Sequence, residues 1–168
     1  MVLVMLRRLV ALVEIVGGLA LVAHLGPMLF RGRPTPAMLA VVGLLVLLGL
    51  MAIWAGVGLW RGHRGGAVLS GIWFALQLPH LMTGPLTYFF FTPATVAVGL
   101  GDGWVPHAVA WFGPQLEITP NDFHPETWIG VNLLAVTAIA VIALGRCGRA
   151  PGARTEAARA SPEGGEPR

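Results

Sequence analysis

Two histidines set at matched heights are the first residues in this chain that could hold a group neither side chain holds alone. His24 lies 15 residues into an apolar run that starts at Leu9, and His80 lies 13 residues into one that starts at Ala67. At about 1.5 Å of rise per residue both would stand roughly 20 Å along their helices. Two imidazoles at one level on two helices can ligate haem b or a metal, which would make the chain a redox subunit. The plainer alternative is a pair of polar side chains near the outer interface, hydrogen-bonded to backbone or to each other. Gln77 sits one turn before His80, and Pro79 beside it leaves a backbone carbonyl without its helical donor.

Glu14 is the acidic residue inside an apolar run, about 7 Å in from Leu9. A carboxylate in lipid costs a few kcal/mol on insertion scales, so it must face the inside of a bundle. There it would form a proton or cation site, and with Gln77 and His80 the core of a small-solute or proton-coupled transporter. The alternative is shallow burial, with Glu14 reaching cytoplasmic water or pairing with Arg7, Arg8, Arg61 or Arg64. Gln77 and Asn132 are lone amides in apolar surroundings, where interhelical hydrogen bonds are the expected use. Asp122, His124 and Glu126 alternate, so an extended chain would turn all three to one side as divalent-metal ligands, with His107 and Asp102 completing the set. Pro120 and Pro125 favour a plain polar loop at that point. There is no Walker loop, dinucleotide-binding glycine turn, CxxC or HExxH, so no catalytic set is expected and neither is a cofactor beyond the haem alternative.

The elements that must carry these residues follow from composition. The chain has 168 residues, 55% hydrophobic and 11% charged, with a mean hydropathy of +0.73. A soluble domain carries about 25% charged residues, so part of this surface must meet lipid. Net charge is only +3, which excludes a nucleic-acid binder, and Cys147 is the single cysteine, which excludes a disulfide scaffold. Spans are predicted at 9–30, 37–60, 67–83 and 128–144, each near the 20 or so apolar residues a bilayer core needs. The expected fold is an all-α transmembrane bundle of four helices over residues 1–147, multi-pass in the cell membrane. Thr35 and Pro36 should open the second helix as cap and first-turn residue. Arg7, Arg8, Arg61, Arg64, Arg146, Arg149, Arg154 and Arg159 lie on one side of this scheme, so both termini should be cytoplasmic, with Arg31 and Arg33 the exceptions.

Residues 84–127 form the external segment, and residues 148–168 lack large apolar side chains and should be a disordered tail. Within the external segment, 87–92, 94–100 and 108–119 are rich in aromatic and β-branched residues, and Gly101-Asp102-Gly103 is a turn signal. A small antiparallel sheet or an interfacial helix would account for them.

Gly58-Leu59-Trp60-Arg61-Gly62-His63-Arg64-Gly65, Leu69-Ser70, Leu76-Gln77-Leu78-Pro79 and Ile129-Gly130-Val131-Asn132-Leu133 together resemble a pattern of small four-span bacterial membrane proteins that have no assigned activity. The resemblance implies the architecture and transfers no functional residue. The role expected from all this is that of a non-catalytic structural, accessory or interaction protein. Its company would be lipid, a second copy or another membrane protein, and not nucleic acid.

Overall fold

The computed structural model describes residues 1–30, 35–83, 86–120 and 127–147. Asp122, His124, Glu126 and the tail 148–168 lie outside the described residues. The chain forms three helices, α1 (Val2–Phe30), α2 (Pro36–Trp60) and α3 (Arg64–Leu76), then six strands, then a last helix. The strands are β1 (Pro79–Thr83), β2 (Leu86–Phe91), β3 (Ala94–Leu100), β4 (Pro106–Phe112), β5 (Gln115–Pro120) and β6 (Trp128–Asn132), and α4 covers Leu133–Cys147.

This corrects the all-α bundle of four spans. Among the described residues one helix, Pro36–Trp60, is long and apolar enough to cross a membrane by length and composition. The expected third span stops at Leu76, because Pro79 has no N–H to donate and drives the residue before it out of the helical region. Its remaining residues become β1. The expected fourth span begins five residues late for a related reason. Trp128–Asn132 is recruited as β6 between β1 and β3, and the helix starts only at Leu133. At about 1.5 Å per residue, α3 and α4 are roughly 20 Å long, well short of a hydrocarbon core of about 30 Å.

All strand pairs are antiparallel, in the order β4-β3-β6-β1-β2-β5. The sheet therefore reaches outside the external segment expected to hold it, taking residues from both neighbouring spans. Alternation along β2 splits its aromatic run between two faces. Phe90 turns to the helices, where its ring meets the edge of Trp73 at 5.2 Å, and the Tyr88 hydroxyl donates to the Leu76 carbonyl at 2.7 Å. Phe89 and Phe91 turn the other way.

The long helices α1 and α2 cross where small residues let their backbones touch. A Cβ at Gly18 would stand 2.6 Å from the Gly49 carbonyl oxygen, and Ala52 lies fully buried beside them. Thr35 caps α2 by accepting the Met38 N–H at 3.2 Å, with Pro36 in the first turn. The main core joins Ala11 and Leu21 of α1, Ala52 and Leu59 of α2, Trp73 and Phe74 of α3, Phe90, and Ala135, Ala138 and Ile142 of α4. A second cluster at the far end packs Leu25, Val42 and Leu45 against Leu116 of β5. The basic residues Arg7, Arg8, Arg61 and Arg64 sit at the opposite end, where the Arg8 guanidinium lies 5.4 Å from the centre of the Trp60 ring.

Candidate functional site

The sheet register assembles a site from residues that are remote in sequence. His80 of β1 lies opposite Gly130 of β6, Gly130 opposite Gly99 of β3, and Gly99 opposite His107 of β4. Partners directly opposite share a face, so one row across four strands reads His107, Gly99, Gly130, His80. At about 4.8 Å between strands, the two imidazole-bearing positions stand roughly 14 Å apart along the sheet with two glycines between them. Neither glycine has room for a side chain: a Cβ at Gly99 would strike the Ile129 carbonyl of β6. A side chain at Gly130 would strike the Trp128 ring, 2.6 Å from where its Cβ would be.

The two histidines at the ends of this row both line a cavity of about 540 Å³. Its walls are largely aromatic: Phe89 and Phe91 from β2, Trp111 from β4 and Trp128 from β6. Thr95, Gln115 and Asp102 supply polar groups. Asp102 stands in the turn between β3 and β4, where its Oδ1 accepts the Thr127 N–H at 2.8 Å and so ties that turn to the residue preceding β6. Gln115 sits opposite Phe91 at the other end of the wall.

His80 is only 2% exposed. Its ring stacks on Phe91 at 5.5 Å and meets Phe89 and Trp128 edgewise, each at 5.7 Å. Its Nε2 lies 3.5 Å from the Thr95 hydroxyl, a long contact. Burial among these rings pushes the imidazole below its ordinary pKa, so the neutral form is favoured. His24 takes no part: it is exposed on α1, and the two histidines do not meet. Among the described residues no group of three His, Cys, Asp or Glu side chains is placed to hold a metal.

Glu14 is fully buried, and its partner is not one of the arginines. The Ser70 hydroxyl donates to its Oε2 at 2.6 Å, and Oε1 has no protein partner. One turn further along α1, the Gly17 carbonyl accepts from the Thr92 hydroxyl at 2.7 Å, while Gln77 Oε1 accepts the Thr92 N–H at 3.1 Å. Glu14 and Gln77 thus lie along one buried seam between α1 and α3, and Gln77 fastens the corner between β2 and β3 to it. Asn132 has a different use from the interhelical bond expected of it. Its Oδ1 accepts the N–H groups of Leu134 and Ala135 at 3.0 and 3.4 Å, capping α4.

Sequence reasoning missed the walls. Phe89, Phe91 and Trp111 were visible in aromatic-rich stretches and Trp128 as the start of the expected fourth span, but which of them share a face depends on a register that no local pattern specifies. No protein-family model, no curated protein and no solved structure matches this chain, so the resemblance carried by Gly58–Gly65 and Ile129–Leu133 assigns it to no family.

Proposed function

We propose that this chain is a membrane-seated, non-catalytic binding protein whose sheet holds one small molecule in the aromatic-walled cavity that His80 and His107 line. The observation that carries the reading is the cavity itself. Its volume of about 540 Å³ falls within the roughly 300–1,000 Å³ of small-molecule sites, and its mostly apolar walls with a few polar groups follow the same pattern. Its described lining includes no serine, cysteine or lysine nucleophile.

The membrane seat is supported by what α1 and α2 leave uncovered. Leu9, Leu12 and Leu19 on α1 and Leu44, Leu47, Leu50 and Trp54 on α2 are all exposed, an apolar area larger than soluble monomers tolerate. Lipid is the cover that fits it. The arginines gathered at the end away from the sheet support a cytoplasmic placement of that end, with the cavity on the other side.

Calorimetric titration of the detergent-solubilised protein with tert-butylbenzene tests the binding reading. Saturable one-to-one binding is expected, weakened at least about tenfold by Trp128→Ala, since an indole wall contributes roughly 1.5–3 kcal/mol of burial. Trp54→Ala, on the exposed side of α2, should bind as the parent does. Absence of saturable binding, or equal loss in both variants, would sink the proposal.

A further inference from the structure

We propose that the cavity selects a small aromatic monocation, an amine or quaternary ammonium carrying one aryl ring, over neutral and anionic molecules of the same shape. This rests on the reading that the cavity holds a small ligand. Among the described lining residues Asp102 is the one side chain with a formal charge, and it is negative. Among those described residues there is no arginine to neutralise an anion. The walls reinforce that sign. Phe89, Phe91, Trp111 and Trp128 line the cavity with aromatic rings, whose π faces carry the negative end of their quadrupoles and attract a cation held within about 6 Å.

Both imidazoles of the row line the cavity: His107 is exposed to water, and the buried His80 does not oppose this sign. His80 is enclosed by three aromatic rings and kept neutral by burial, so it offers ring nitrogen and no positive charge. Asp102 cannot swing freely away from the cavity either, because one of its oxygens is held by the Thr127 N–H at 2.8 Å. A ligand with its aryl ring between the indoles would therefore leave its cationic end toward Asp102.

The experiment compares phenyltrimethylammonium with tert-butylbenzene, which share a shape and differ in charge, by calorimetry on the full chain in neutral detergent. The cation should bind about tenfold tighter, the range cation–π and carboxylate attraction supply together near a surface. Asp102→Asn keeps an oxygen for the Thr127 N–H, removes the charge and should cut that preference to about threefold or less. Trp111→Leu keeps apolar bulk, removes a π face and should weaken the cation more than the hydrocarbon. Melting curves for both variants confirm that they fold. If the hydrocarbon binds as tightly as the cation, or if both variants leave the preference unchanged, charge selection is overturned while the small-ligand reading stands. If neither probe binds, that reading fails and the selection with it.

Discussion

His80 keeps a titratable ring where Phe89, Phe91 and Trp128 leave it almost no water. Its consequence for stability has a definite sign. The folded chain disfavours the imidazolium, so the unfolded chain takes up the proton more readily and stability rises with pH across the interval between the two pKa values. The contribution is fully present above the ordinary value of 6.5 and is lost as pH falls below it. The melting temperature should drop on acidification from pH 7 to pH 5, and His80→Phe should flatten that dependence. An equally steep slope in the variant would show that another group is responsible. Glu14, Gln77 and His80 were all conspicuous in the sequence, as polar side chains inside apolar runs. Their partners were not. Ser70 lies 56 positions from Glu14, and Thr92 and Thr95 each lie 15 from the residue they meet, separations at which only the finished fold decides contact.

At the scale of elements, α1 and α2 were legible and the second half of the chain was not. Thr35, Pro36 and an uninterrupted apolar run define α2 locally. Residues 67–83 and 128–144 are both mostly apolar, but a buried strand and a membrane helix share that property, and hydropathy does not separate them. What separates them is chemistry at the break: Pro79 ending α3, and Ile129 and Val131 suiting an extended chain before Asn132 restarts a helix. Asn132 is thus a punctuation mark, and Asn132→Ala should cost about 1 kcal/mol, the usual effect of losing an N-cap. Reversible unfolding in mixed micelles measures it, with Asn132→Asp expected to restore most of the loss. No change in the alanine variant would mean that the cap is dispensable.

For the whole molecule, two long helices are joined to two short ones, and the sheet takes up the length the short ones lack. The proposed membrane seat, which rests on the exposed leucines of α1 and α2, predicts that the chain stays with the bilayer after an alkaline carbonate wash of membranes. Recovery in the supernatant would rule out the membrane seat. Composition carries the same expectation, since so few charges cannot cover a soluble surface. The cavity was not readable, because it belongs to no single segment: its lining comes from all six strands.

That arrangement also sets an order of assembly. β6 is the last strand made, yet it lies in the interior of the sheet, bonded to β3 on one side and β1 on the other. Until it arrives, the chain can form a β3–β4 hairpin and a β1–β2–β5 unit, each with a bare edge and neither able to enclose anything. Residues 128–132 act as a keystone: a chain cut short before them lacks both β6 and α4, and its two strand units never become the one surface that encloses the cavity.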